Sequence, residues 1–86
     1  MIKSRSRDLP KITGGQIRAA RALLRWTAED LAKRSKLGVA TIRRAEVVDG
    51  PVKMTIVNAE AVARALEAAG IELTNGDAPG VRLRKK

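Results

Sequence analysis

Residues 26–46 read WTAEDLAKRSKLGVATIRRAE, and this stretch decides the fold. Thr27 is a helix N-cap residue, and Asp30 stands three positions later, where the acid of a capping box returns the hydrogen bond. The helix that begins here ends before residues 36–38, which introduce a glycine and a new apolar period. A second helix covers residues 39–47. The stretch therefore predicts two short helices joined by a tight turn.

Apolar residues at helical spacing predict one further helix on each side of this stretch. Residues 16–25 keep the spacing of one helical face, and Thr13 is a candidate cap. After a turn at residues 49–51, a fourth helix is expected over residues 55–69, and Gly70 ends it. The chain is therefore expected to be mainly helical.

The C-terminal part of the sequence changes to a period of two. Residues 71–74 and 81–84 alternate between apolar and polar side chains, with turn-forming residues between them. This pattern predicts a two-stranded antiparallel hairpin whose apolar face carries Ile71, Leu73, Val81 and Leu83. A lone hairpin is marginal in water, so this face must pack on the helices, on a second subunit or on both.

The third helix has two different sides at about 100° per residue. The side expected to face the core carries Thr41, Ile42, Ala45 and Glu46. The opposite side carries Val39, Ala40, Arg43, Arg44 and Val47. Two adjacent arginines among small apolar groups differ from the purely charged side of an ordinary solvated helix, so this side is a candidate contact surface.

Two charged residues, Arg21 and Glu46, lie on otherwise apolar faces of the first and third helices. Burying either charge alone is costly, and their opposite signs indicate that they are buried together. We predict an Arg21–Glu46 ion pair that ties the two helices. The alternative is that both side chains extend to solvent.

Composition narrows the classes of function. The 86 residues include 18 Lys and Arg, 9 Asp and Glu, and no His or Cys, with a net charge of +9. This length allows one domain. Without His or Cys the chain cannot form a zinc finger or a Ser-His-Asp triad, and one aromatic residue cannot supply a base-stacking platform. The charge favours a polyanionic partner such as nucleic acid.

The sequence also lacks the residue patterns expected of an enzyme site, a metal site or a membrane span. No nucleophile with a plausible base and no cluster of acids is evident, so we expect no enzyme activity, no metal and no cofactor. No apolar run reaches the length of a membrane span, and no signal-peptide pattern opens the sequence. A cytoplasmic location is therefore expected. We divide the chain into a basic N-terminal arm (1–11), a helical domain (12–70), and a hairpin with a basic tail (71–86).

The motifs resemble the lambda-repressor/Cro-like helix-turn-helix regulators, also called the xenobiotic-response-element family. The matching segments are Gln16-Ile17-Arg18-x-x-Arg21, Trp26-Thr27-x-x-Asp30-Leu31-Ala32 and Ala40-Thr41-Ile42-Arg43-Arg44-x-Glu46. Residues 64–71 resemble the end of helix 4 in short bacterial members, whose hairpin tail resembles residues 71–85. The resemblance implies a compact four-helix lambda-repressor-like DNA-binding domain, usually dimeric, that acts on double-stranded operator DNA.

The resemblance also implies roles for individual residues. The base-reading positions of the family fall on Val39, Ala40, Arg43 and Arg44. Arginine can bond guanine O6 and N7 together, and small apolar groups can contact a thymine methyl. Phosphate contacts fall on Thr27, Lys36, Gly38, Thr41 and Lys53. Several positions depart from the family. Lys36 replaces the turn glycine and is predicted to be left-handed, and Gly38 replaces the usual Ser or Thr cap. Ala28 stands where many members carry Gln, and Val39 and Ala40 replace typically polar residues.

Three interpretations remain open from the sequence. The leading one is a sequence-specific transcriptional regulator, a repressor or autoregulator that binds as a homodimer with helix 3 in the major groove. A second is a protein-interaction module, such as an antitoxin or controller, whose main partner is another protein. A third is an architectural protein that binds DNA without sequence preference.

Overall fold

The computed structural model describes residues 12–75 and 78–84. These residues form four helices and a hairpin in the predicted order: α1 (Gly14–Leu24), α2 (Ala28–Ser35), α3 (Val39–Glu46), α4 (Ile56–Ala68), β1 (Ile71–Thr74) and β2 (Gly80–Leu83). The prediction of a small, mainly helical domain with a two-stranded antiparallel hairpin is confirmed. The main difference lies in α1, which begins two residues earlier than predicted. The helix therefore includes Gly14 and Gly15, which were expected to precede it.

Side-chain caps explain where three of the helices begin. Thr13 and Gln16 form a capping box at α1, and Thr27 and Asp30 form the predicted one at α2. At α4 the Thr55 hydroxyl accepts a hydrogen bond from the third helical amide. Each of these caps supplies an oxygen to an amide that has no partner within its helix.

Two of the connections between helices use left-handed residues. Lys36 adopts φ 62° at the end of α2, as predicted from its place at the family's glycine position. Arg25 adopts φ 60° at the end of α1, which was not predicted. Left-handed backbone costs a non-glycine residue roughly 1 kcal/mol. Both turns therefore carry a small strain that the packing of the helices overcomes.

The core forms where α2 packs on α3 and α4, while α1 packs on α3 and β2. Its largest fully buried side chains are Ile12, Ile17, Leu31, Ile42, Val62, Leu66 and Ile71. The hairpin contributes to this core because β1 packs on α4 as β2 packs on α1. The helices of the same chain therefore cover most of the hairpin's apolar face.

The strand register puts the predicted residues on one face of the hairpin. Ile71 is opposite Leu83, and Leu73 is opposite Val81. Ile71 is buried, and both Leu73 and Val81 pack against the core. Leu83 remains 41% exposed. The free end of the hairpin therefore keeps some uncovered apolar surface.

Gln16 is a buried polar residue that links α1 to the hairpin. Its amide nitrogen donates to the carbonyls of Thr74 at 2.7 Å and Gly80 at 3.0 Å, while its oxygen accepts from the Thr13 amide at 2.9 Å. Sequence reasoning placed Gln16 at the start of the first helix and in a family-like segment, but it did not predict the link to the hairpin. Its position three residues after a threonine cap was the available signal for part of this network.

Some predictions concern residues outside the described part of the chain. These are the basic arm over residues 1–11, the central turn residues 76 and 77, and the last two lysines. Across the described ranges, none of the helices has the length and apolar character needed to cross a membrane.

Candidate nucleic-acid interface

The outer side of α3 consists mainly of the residues predicted for it. Ile42 and Ala45 are buried on the inner side, while Arg43 and Arg44 are exposed on the outer side. Ala40 is exposed beside them, as expected. The surface of α3 is therefore a pair of arginines next to small apolar groups.

The two valines of the outer side differ in exposure. Val39 is half-buried and packs against the core, because the first turn of α3 lies close to the neighbouring helices. It therefore offers less surface to a partner than the sequence suggested. Val47, which follows the last helical residue, is 77% exposed.

Arg21 and Glu46 form the ion pair that the sequence predicts. Arg21 Nε lies 2.6 Å from Glu46 Oε2, and Nη2 lies 2.8 Å from Oε1, so the pair is bidentate. Nη1 donates to the Trp26 carbonyl at 2.9 Å. The side chains are 23% and 10% exposed, which places the pair at the edge of the core. Hydrogen bonding to Glu46 raises the pKa of Arg21, although partial burial opposes this effect.

Arg18 adds a second link between α1 and the end of α3. Its guanidinium donates to the carbonyl of Glu46, to the carbonyl of Val48 at 3.3 Å and to the Asp49 carboxylate at 2.5 Å. The Glu46 carbonyl is one of the last four of α3, which have no hydrogen-bond partner within the helix. Sequence reasoning missed this role, because the pattern of side chains does not reveal which backbone carbonyls lie nearby.

Gly14 allows the backbones of α1 and α3 to approach closely. A Cβ atom on Gly14 would meet the Val48 carbonyl oxygen and would lie 2.6 Å from the Ala45 oxygen. The Gly14 amide donates to the Gly50 carbonyl at 2.9 Å. Together with the two arginines, this contact fixes the C-terminal end of α3 against α1.

The N-terminal end of α3 has a different environment. Gly38 is exposed at the N-cap with φ −72°, and α3 has no side-chain cap hydrogen bond. A Cβ at Gly38 would have no described atom within 4 Å. Thr41 is half-buried in the first turn, and its amide donates to the Gly38 carbonyl at 3.0 Å. The first amides of α3 are thus not shielded by a cap, which suits a contact with an anion.

Arg43 and Arg44 differ in their surroundings. Arg43 Nη2 donates to Glu29 Oε2 at 2.6 Å, so the outer side of α3 contacts the first turn of α2. Among residues 12–75 and 78–84, Arg44 has no ion-pair partner. Sequence reasoning missed the Glu29 contact, because both side chains are exposed and no burial pattern constrains them.

The other candidate phosphate contacts are also at the surface. Lys36 and Lys53 are exposed, on the turn before α3 and the loop after it. Thr27 is exposed, but its hydroxyl oxygen and its amide are both used by Asp30 in the capping box. The hydrogen bond that the Thr27 amide donates to the Asp30 carboxylate lowers the pKa of Asp30. Thr27 therefore acts in capping α2, and a contact between Thr27 and a phosphate stays a prediction.

A cation–π contact supports the start of α2. The Arg34 guanidinium carbon lies 4.8 Å from the centre of the Trp26 ring. Trp26 is half-buried against the core, so the arginine covers part of its outer face. Trp26, the one tryptophan of the chain, therefore acts in packing. Sequence reasoning did not predict its contact with Arg34.

No protein-family model, curated protein or solved structure matches the chain. Function is therefore inferred from the outer side of α3 and from the groups that hold this helix.

Proposed function

We propose that the chain is a sequence-specific double-stranded DNA-binding regulator with a lambda-repressor-like helix-turn-helix formed by α2 and α3. The observation that carries the proposal is the outer side of α3, where Arg43 and Arg44 are exposed beside Ala40. The major groove of B-DNA is about 12 Å wide and admits an α-helix. In this arrangement α3 enters the groove while α2 crosses the DNA backbone.

The proposed contacts of α3 and its flanking residues with DNA are of two kinds. Arg44 bonds the O6 and N7 atoms of a guanine, and Ala40 contacts a thymine methyl. Phosphates are contacted by Lys36 and Lys53 through charge, and by the uncapped first turn of α3 through backbone amides. The first kind of contact specifies sequence, and the second kind sets position on the duplex.

The regulator is proposed to act as a homodimer, as a repressor or an autoregulator. One helix-turn-helix reads few base pairs, and a two-fold dimer doubles this number by placing two recognition helices about one DNA turn apart. Leu83, at the free end of the hairpin, provides exposed apolar surface for such an interface. Light scattering of the protein at micromolar concentration tests this: a monomer both with and without DNA would contradict it.

A second candidate is a protein-interaction module, such as an antitoxin or controller. It is favoured by three exposed apolar residues, Val47, Ile56 and Val57. Exposed apolar residues of this size are groups that a protein partner can cover. The two candidates differ in whether the arginines of α3 are needed for the main binding event.

Selection of bound sites from random duplexes, followed by substitution of Arg43 and Arg44, tests the DNA-binding proposal. Arg43→Ala/Arg44→Ala should abolish binding to the selected duplex while the fold is retained. The matched control is Arg64→Ala/Arg82→Ala, which removes two exposed arginines from α4 and β2. The control should lose only the small affinity that two distant charges provide. Unchanged affinity of the α3 double variant would contradict the proposal.

A further inference from the structure

The contact between Glu29 and Arg43 has little effect on stability and lies on the side of α3 proposed to meet DNA. The two side chains are 60% and 59% exposed. Exposed ion pairs of this kind contribute little to the free energy of unfolding. The consequence of the contact is therefore found in the orientation of the arginine.

The hydrogen-bond geometry leaves Arg43 able to read a base. A guanidinium has five N–H groups in a rigid planar fork. The bond to Glu29 involves Nη2 alone, and Nη1 has no hydrogen-bond partner among the described residues. Because Nη2 carries two hydrogens, its single bond to Glu29 leaves one edge of the fork with two free donors, which can bond the O6 and N7 acceptors of a guanine. The carboxylate restricts the plane of the group without occupying this edge.

The same contact makes Arg43 a weaker ligand for phosphate. An arginine gains affinity for phosphate from its positive charge, because neutralising a phosphate releases counterions from the DNA. The carboxylate of Glu29 offsets that charge and itself repels phosphates. Its pKa is lowered by a hydrogen bond with its own backbone amide and by the charge of Arg43, so it stays ionised at neutral pH. Arg44 has no such partner among the described residues.

We infer that Glu29 is a positioning residue for base reading, which directs the Arg43 guanidinium toward a guanine edge and away from the phosphates. The inference rests on the proposed function. It assigns different roles to the two arginines: Arg43 reads one base pair in a fixed orientation, and Arg44 binds without this restriction.

A double-mutant cycle on the whole chain tests the inference. The selected duplex is changed one base pair at a time, and the affinity of each duplex is measured for wild type, Glu29→Ala, Arg43→Ala and the double variant. Arg43→Ala should remove a preference of about 10-fold or more at one guanine. Glu29→Ala should reduce the preference at that same base pair several-fold. The double variant should equal Arg43→Ala.

The affinity for random duplex DNA is a second measurement. It should not change if Glu29 only stabilised the fold. Without Glu29, Arg43 is released for a phosphate contact. Affinity for random DNA should therefore rise, and the slope of log affinity against log salt should steepen by about 1. Glu29→Gln keeps the shape of the side chain but removes its charge, and it should change the salt slope in the same direction.

Glu72→Ala is the matched control. Glu72 pairs with Arg82 at 2.6 Å and with Arg84 at 3.5 Å, so its removal makes the same charge change and releases two exposed arginines of the hairpin segment. This variant should leave the preference at the Arg43 base pair unchanged. Thermal unfolding and circular dichroism of each variant establish that the fold is retained.

The outcomes separate the inference from the proposed function. If wild type binds selected and random duplexes equally, both fail. If wild type is selective but Arg43→Ala relaxes no base pair, the inference alone fails. It also fails if Glu29→Ala leaves the preference at the Arg43 base pair unchanged, or if it weakens the preference equally at every position.

Discussion

At the C-terminal end of α3, Arg18, Arg21 and Gly14 bring α1 against the helix through hydrogen bonds and close backbone contact. At the N-terminal end, Gly38 provides no side-chain cap, and the preceding turn keeps Lys36 in a left-handed conformation. The fold thus fixes α3 from one end and leaves the first amides of its other end without a side-chain cap. This difference suits a helix whose orientation must be rigid while its first turn contacts a phosphate.

The largest expected effect at the fixed end comes from Glu46→Ala. It leaves the partly buried Arg21 without its bidentate partner and should lower the free energy of unfolding by about 2–4 kcal/mol. Urea unfolding measures this change. Glu60→Ala is the control, because its pair with Arg64 is exposed and longer, at 3.6 Å, and should cost less than about 1 kcal/mol. Equal stability of Glu46→Ala and wild type would show that the pair does not anchor α3.

Gly14→Ala should have the next largest effect. The added Cβ would overlap backbone oxygens of α3 and its following loop, so α1 and α3 must separate. We expect a loss of roughly 2 kcal/mol in thermal or urea unfolding. The adjacent Gly15→Ala is a close control, because its Cβ would meet nothing nearer than 3.4 Å. Gly15→Ala should preserve or raise stability, since alanine favours the helix by about 1 kcal/mol. The same result for both variants would contradict the close approach.

The smallest expected effect is at the uncapped end, and it is stabilising. Lys36→Gly relieves the left-handed strain and should raise the free energy of unfolding by about 0.5–1 kcal/mol. Arg25→Gly tests the same strain at the end of α1 and should stabilise similarly. Only Lys36→Gly should also weaken DNA binding at low salt and flatten the salt slope by about 1. If both variants alter DNA binding equally, Lys36 does not contact a phosphate.

The sequence predicted features that follow from strong local or burial constraints. The Thr27–Asp30 capping box depends on residues three apart, and the Arg21–Glu46 pair follows from two charges on apolar faces. The left-handed turn at Lys36 was predicted from its position in the resemblance. Each of these features requires particular residue types at a fixed spacing or on a buried face, so the sequence alone can predict it.

Other features could not be predicted, because they depend on tertiary geometry. The contacts of Arg18 involve backbone carbonyls, which any residue provides. The Glu29–Arg43 contact joins two exposed side chains, so hydrophobic periodicity carries no information on it. The half-buried position of Val39 depends on how closely the first turn of α3 approaches the core. Periodicity gives the side of a helix but not the depth of each residue on it.

The most direct test of the DNA-binding proposal is a competition between the selected duplex and random duplex DNA for the wild-type chain, at one stated salt concentration. A regulator that reads sequence through Arg43 and Arg44 should prefer the selected duplex by about 10³-fold or more. Equal affinity for the two duplexes, or no measurable binding to either, would contradict the proposed role of α3.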